Sequence, residues 1–416
     1  MPRLHINAER LWASMMETAK IGGTEKGGLN RLTLSDEDRQ VRDWFVRECQ
    51  SVGCLVTVDD IGNIFARKQG KDSSLPPVAT GSHLDTQPAG GKFDGVIGVL
   101  SGLEVLRTLH DAGYTTNAPL EVIDWTNEEG IRFSPPIVGS GVFSGAIDKE
   151  ADYAGRDSAD KVFGEELKRI GYRGRNRCGD HKPGAYFELC IEEGLVQQTG
   201  QNIIGVLTGI QGERWYEVMV TGRESHAGST PMPVRKDAML ACAGIVGMVN
   251  NIALDHAPSA VATVGRVVVK PNSPNVIPGS VYFTVDLRHP DDAVSRLMDQ
   301  QLRVAIREVK AGMDIAIELN DVWSTPSTRF DERCVNIVRD AAKSLHYPSR
   351  DIISGSGHDA GYISRVAPAA MIAIPCKDGV SHNEMEEISP EQAAAGAEVL
   401  LQSILAWDNE SGESRR

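Results

Sequence analysis

WYEVMVTG (215–222), RESHAGSTPMPVRKD (223–237), a helical run from about Ala238 to Ala253, ATVGRVVVK (262–270), SVYFTVDLRH (280–289), a helical run from about Ala293 to Val309, and DIAIELN (314–320) follow one another in this order along the chain. Read by periodicity, they run strand, loop, helix, strand, strand, helix, strand. That β-α-β-β-α-β order is the ferredoxin-like split βαβ unit. The unit reads as an insertion. An α/β rhythm precedes it and resumes after STPSTRF (324–330), with a helix near Arg333–Leu345 and the run AAMIAIP (369–375). The boundaries fall at 213–328 for the small domain, leaving 1–212 and 329–416 as one discontinuous larger domain. Hinges near Gly212 and Ser327 would let two such domains close on a ligand.

Outward from that insertion, the larger domain alternates short β-rich runs with amphipathic helices, the mark of an α/β sheet. Ser35 followed by Asp36, Glu37 and Asp38 predicts a capped helix start, with acids at the positive end of the dipole. CLVTVDD (54–60), NIFARK (63–68) and VATGSHLDT (78–86) read as strands. Ile97, Leu100, Leu103, Leu106 and Leu109 recur at threes and predict a buried helical face. LEVIDWTNEEG (120–130) is a strand that ends in a polar loop.

The 416 residues suffice for two or three domains, and 41% hydrophobic with 24% charged residues is the balance of a globular chain. A net charge of −14 repels phosphate backbones and anionic lipid, so neither nucleic acid nor a membrane is an expected partner. No stretch of 18 uninterrupted apolar residues is present, and MPRLHINAERLWASMMETAK reads as a first helix, not a signal peptide. Seven scattered cysteines do not form a disulfide framework, which fits a reducing cytoplasm.

Three features sit where strands give way to loops, the usual place for ligands in an open α/β sheet. They are Gly81-Ser82-His83-Leu84-Asp85-Thr86 with Lys92-Phe93-Asp94-Gly95, Asn127-Glu128-Glu129-Gly130, and Gly379-Val380-Ser381-His382-Asn383. Imidazole and carboxylate are the donors zinc or manganese takes in a site open to water. Adjacent acids can divide labour, one holding metal while the other takes a proton from water. Asp85, two residues past His83, is close enough to accept the second ring N–H and fix the tautomer. Taken singly each signal is weak, since a histidine at a strand end is more often structural.

In combination these blocks resemble, in order and flanking residues, the amidase/hydantoinase/carbamoylase group of di-metal, exopeptidase-like enzymes. The resemblance runs through GGTEKGGLNRL (22–32), GSHLDTQPAGGKFDG (81–95), TNEEGIRF (126–133), SHAGSTPM (225–232), NVIPG (275–279), DLRHPD (286–291), SGSGHDA (354–360) and GVSHNEMEE (379–387). It implies an α/β fold: a large exopeptidase-like catalytic domain with a mixed sheet flanked by helices, plus an inserted α+β domain acting as lid and dimerisation surface. It implies hydrolysis of a linear C–N bond, foremost the carbamoyl group of an N-carbamoyl amino acid, with two divalent ions, zinc or manganese, as cofactors. His83 would bind the first ion, Asp94 would bridge, Glu129 and His382 would bind the second, and Glu128 would be the general base. His226 would contact the tetrahedral oxyanion, while Asn275 and Arg288 would grip a substrate carboxylate. His358-Asp359 would support the loop near His382. A homodimer through 213–328 follows from the same resemblance.

One block departs from the family's His-Ile-Glu-Gln-Gly. Here it reads Cys190-Ile191-Glu192-Glu193-Gly194. Cys190 stands where the remaining ligand of the first ion is expected, and Glu193 where a glutamine meets the substrate carboxylate. Cys190 is open to three readings: a thiolate ligand, an emptied first site, or a degenerate site in a binding protein without catalysis. Allantoate or ureido-acid hydrolysis, and dipeptidase or aminoacylase activity, are the neighbouring enzymatic alternatives.

Overall fold

The computed structural model describes residues 3–192 and 203–413. The chain forms two compact units, Met1–Gly209 with Arg329–Arg416, and Ile210–Thr328. In the first lie β1 (Leu55–Val58), β2 (Ile64–Lys68), β3 (Val78–Ser82), β4 (Leu120–Asp124), β5 (Ala185–Glu192) and β6 (Ile204–Ile210). The second holds β7 (Gly212–Thr221), β8 (Ser225–His226), β9 (Val261–Thr263), β10 (Val267–Lys270), β11 (Val276–Ile277), β12 (Ser280–His289) and β13 (Ala316–Thr325). After β14 (Thr328–Arg329) come β15 (Ser349–Ser354) and β16 (Ala369–Pro375).

The first unit is built on a mixed nine-stranded sheet of order β1-β2-β4-β3-β5-β16-β6-β14, with β15 also on β6. Its centre is parallel, β4 with β3, β3 with β5 and β5 with β16, while β2 and β6 join antiparallel on either side. Such a centre is covered on both faces, which explains why β3, β4, β5 and β16 are buried at every position. The leucines spaced at threes lie on the helix Val96–Asp111, buried along nearly its whole length. Truncating one of them to alanine would cost about 2–5 kcal/mol through lost contacts and a cavity. The helix after Ser35 spans Asp36–Ser51, and the Ser35 hydroxyl accepts the Asp38 N–H at 3.1 Å. Because the four central strands run the same way, the loops leaving their carboxyl ends gather along one edge.

The second unit carries an antiparallel sheet of order β10-β12-β7-β13, with β9 also on β12. Alternate residues of β12, from Val281 to Leu287, are buried. They pack with Tyr216, Val218 and Val220 against the helices Ala238–Asp255 and Asp292–Met313. ATVGRVVVK is not one strand, as its periodicity predicts, but two. Thr263 stands opposite Asp286 and Val267 opposite Phe283, so four steps on one strand meet three on its partner. The extra residue makes a bulge and breaks the ladder. Ala238–Asp255 is long and apolar enough to cross a membrane, yet Ala241, Cys242, Ile245, Val249 and Ile252 are buried in the unit's own core.

Candidate metal centre

Three loops at the carboxyl edge of the parallel strands bring the site together. His83 follows β3, Asp94 precedes the helix Val96–Asp111, Glu128 and Glu129 follow β4, and His382 lies beyond β16. Among the described residues one group of donors could hold a metal ion: Asp94, Glu129 and His382, with ligand atoms within 4.8 Å of one another. His382 Nε2 lies 3.2 Å from Asp94 Oδ2 and 3.7 Å from Glu129 Oε2. Glu128 Oε2 lies 3.5 Å from His83 Nε2, and the charges of Glu129 and Asp94 also act on it.

Backbone geometry is spent on this arrangement. Asn127 and His382 both adopt positive φ, 58° and 52°, a conformation that costs energy in residues with a side chain. The Asn127 amide compensates by donating to the carbonyls of Phe133 and Pro135.

Asp85 acts differently from its sequence expectation. The nearer partner of His83 Nδ1 is the Asp85 carbonyl, at 2.8 Å, with the carboxylate 3.9 Å away. The carboxylate instead accepts the backbone N–H of Glu128 and of Glu129, both at 3.3 Å. The carbonyl thus orients the imidazole and the carboxylate orients the paired glutamates. A spacing of two residues cannot tell these apart, because both oxygens belong to the same residue.

Cys190 is buried on β5, where its Sγ donates to the Ile372 carbonyl at 3.6 Å, and it is not a member of the three-donor group. His83 is not a member either. Glu193 lies outside the described residues. His358 is held by Ser354, its Nε2 2.9 Å from the hydroxyl, and burial drives its pKa down to about 4. Asp359 accepts the Ser140 hydroxyl at 2.5 Å, and the Ala360 N–H goes to buried Glu188 at 2.8 Å.

The electrostatics call for a cation. Burial, reinforced by neighbouring acids, pushes Glu128 well above the usual carboxylate range and Glu129 up to about 7. Burial also works against Asp94, yet the hydrogen bond from His382 and the charge of His83 hold it below its ordinary value. Burial disfavours the His83 imidazolium as well, but Glu128, Asp85, Asp94 and Glu129 outweigh it and raise the pKa well above 6.5. Two carboxylates and an imidazole converging in surplus negative charge fit a divalent ion.

Sequence reading missed two groups. The Gln87 amide donates to Glu129 Oε2 at 2.5 Å. Glu386, in the same loop as His382, accepts the backbone N–H of Phe93 at 2.8 Å and of Asp94 at 3.0 Å. Both lie inside blocks already singled out, but Gln87 reads there as loop and Glu386 as one acid in a solvated run.

In the second unit, β8 pairs with β11 and sets Val276 opposite His226, so His226 and Asn275 are neighbours. His226 Nδ1 accepts the N–H groups of Gly228 and Ser229, at 3.0 and 3.1 Å. The ring proton therefore belongs on Nε2, which is left a donor. Arg288 is engaged by its own unit: NH1 donates to Glu213 at 2.7 Å, and Nε and NH2 donate to Asp286 at 3.0 and 2.9 Å.

A mixed α/β fold that gathers two acids and an imidazole at the edge of its parallel strands has the make-up of a metal-dependent hydrolase. The chain belongs to the peptidase family M20/M25/M40, whose model matches residues 79–406. It is 47% identical over 400 residues, 96% of each chain, to an N-carbamoyl-L-amino-acid amidohydrolase of Rhizobium meliloti. An allantoate amidohydrolase of Bacillus subtilis is 31% identical, over 92% of this chain and 93% of that one. A crystal structure of a hydantoinase/carbamoylase family amidase from Burkholderia multivorans superposes with a TM-score of 0.93 at 51% identity, covering 97% of this chain and 98% of that one. Family and relatives together mark the chain as a hydrolytic amidase.

Proposed function

We propose that this amidase removes the carbamoyl group of an N-carbamoyl amino acid. The observation that carries the proposal is the placement of Glu128 beside the Asp94–Glu129–His382 group, in a chain 47% identical to an N-carbamoyl-L-amino-acid amidohydrolase. Asp94, Glu129 and His382 would hold one divalent ion, zinc or manganese. When bound, such an ion acidifies water and polarises an amide carbonyl. Glu128, raised in pKa, takes the proton from the attacking water and passes it to the leaving nitrogen, so that an amine departs instead of an amide anion. Asp85 keeps Glu128 and His83 in register for that transfer. His226, with its proton on Nε2, is suited to donate to the oxygen that gains charge in the transition state. Asn275 and Arg288, with Glu193, would meet the far end of the substrate.

A second ion would take His83 and Asp94, and would need the Cys190 thiol to leave the Ile372 carbonyl and bind as thiolate. Counting metal in protein purified without added ions, beside Cys190→His, separates the cases. Two ions per chain in the parent supports thiolate ligation, whereas a rise from one to two in the variant supports an emptied first position.

The second unit is proposed as lid and dimerisation surface. Support comes from the helix Ala238–Asp255, which carries no charge between its capping Asp237 and Asp255 yet leaves Leu240, Ala243, Gly247 and Leu254 exposed. All seven cysteines are free thiols, which supports a reducing, cytoplasmic setting.

The deciding assay loads the protein with zinc or manganese and offers N-carbamoyl amino acids, β-ureidopropionate and allantoate. Glu128→Gln should lower turnover by roughly 10²–10⁴-fold, the usual weight of a general base, while the metal content stays at the parent level. Silence on every substrate at confirmed metal content rejects the substrate class. A fully active Glu128→Gln variant removes Glu128 as the base.

A further inference from the structure

Asp94 and His382 are 288 positions apart in the chain, and neither β3 nor β16 by itself sets the distance between their loops. Buried Glu386 joins them. Its Oε1 accepts the backbone N–H of Phe93 at 2.8 Å and of Asp94 itself at 3.0 Å. The Glu386 backbone closes a turn onto Asn383, with its N–H on the Asn383 carbonyl at 3.0 Å, directly beside His382. Ser381, on the other flank of His382, reaches Glu386 Oε2 at 3.5 Å. A carboxylate that accepts two successive N–H groups fixes the direction of the peptide carrying them, and so the direction in which the Asp94 side chain leaves the backbone. Space confirms the fit, because a Cβ on Gly91 would overlap the Glu386 carboxylate.

We propose that Glu386 is a positioning residue for the metal group: it clamps the Asp94 loop to the His382 loop and thereby sets the two ligands at one ion. The proposal rests on the reading of Asp94 and His382 as metal ligands. Partners that orient ligands in this way typically carry about 10–100-fold in metal affinity.

The test uses the full chain stripped of metal and titrated with Zn²⁺ or Mn²⁺ against a chromophoric chelator. Glu386→Ala should weaken binding by about 10–100-fold. Gly91→Ala, which leaves the carboxylate intact but displaces it, should do the same. Glu386→Gln keeps an Oε1 acceptor and should stay near the parent. A general structural role would not predict that ordering. Circular dichroism of the metal-free proteins confirms folding, and if Glu386→Ala does not fold, Gly91→Ala and Glu386→Gln carry the comparison. The proposal is overturned if folded Glu386→Ala or Gly91→Ala binds metal as tightly as the parent, or if Glu386→Gln falls as far as alanine. Asp94→Asn is the control. Should it bind metal normally, the ligand reading fails; should it lose metal while the Glu386 and Gly91 variants do not, only the positioning role fails.

Discussion

Gly95 meets a conformational and a steric demand at once. It caps the helix Val96–Asp111 at φ 66°, and a Cβ there would overlap the His83 imidazole. Gly95→Ala should therefore push His83 off its contacts with Asp85 and Glu128, lowering turnover by at least about tenfold, with the helix content unchanged by circular dichroism. Unaltered kinetics would show that His83 has slack. A second residue-scale prediction concerns Glu213 in the small unit, which faces Arg288 and Asp286. Burial pushes its carboxyl up to about 7 against the pull of Arg288, whereas an unfolded glutamate titrates near 4.3. Between those values the folded chain keeps a proton the unfolded chain has released, so stability falls as pH rises through the window. Urea midpoints taken at pH 5 and pH 8 should drop more in the parent than in Glu213→Gln, by up to about 1.4 kcal/mol per pH unit; equal slopes reject the assignment. At this scale the residues grouped at the strand ends, His83, Asp94, Glu128, Glu129 and His382, were legible, because strand-to-loop junctions are visible as changes of periodicity. The jobs of the Asp85 carboxylate and of Glu386 were not. Each depends on a backbone N–H contributed from a distant part of the chain, and backbone donors leave no mark in a sequence.

Elements were read most securely where a repeat runs long. The leucines of Val96–Asp111 and the all-buried β16 announce themselves by period and by uninterrupted apolarity. The break between β9 and β10 was marked only by Gly265 and by Arg266 falling on the apolar phase of the run, and the register against β12 reveals the additional residue. The helix Ala238–Asp255 shows the reverse case. Its hydrophobicity is plain in the sequence, but only the fold separates the buried face from the face carrying Leu240 and Leu254. An exposed, uncharged helical face calls for a partner, and a second copy of the chain is the proposed one. Leu240→Arg with Leu254→Glu should turn a dimer into a monomer by light scattering. It should cost little stability in the monomer, because both side chains already face solvent. A monomeric parent, or a dimer indifferent to both charges, excludes this face.

On the scale of the whole molecule, the charge is unevenly justified. A net charge of −14 is ordinary for solubility, but setting buried Asp85 and Glu386 and half-buried Asp94, Glu128 and Glu129 around two imidazoles is not. Buried like charges destabilise a fold unless a cation or a proton compensates. The upward displacements of Glu128, Glu129 and Glu386, the last to about 8, show how strongly the fold seeks one or the other. A divalent ion satisfies them together, and because it binds the assembled group far better than the unfolded chain, it must stabilise the folded state. At a hundredfold excess over Kd the gain is about 2.7 kcal/mol. Thermal unfolding at pH 7 should therefore move up by a few degrees on adding Zn²⁺ or Mn²⁺ to chelator-treated protein, and back down on adding chelator. Asp94→Asn removes one acid from the surplus and one ligand from the group. In the metal-free fold the Asp94 charge is held by His382 and His83, so the variant should melt no higher than the metal-free parent and should respond less to metal. A smaller metal-induced shift marks the loss of a ligand, and an equal shift would mean that Asp94 holds no ion.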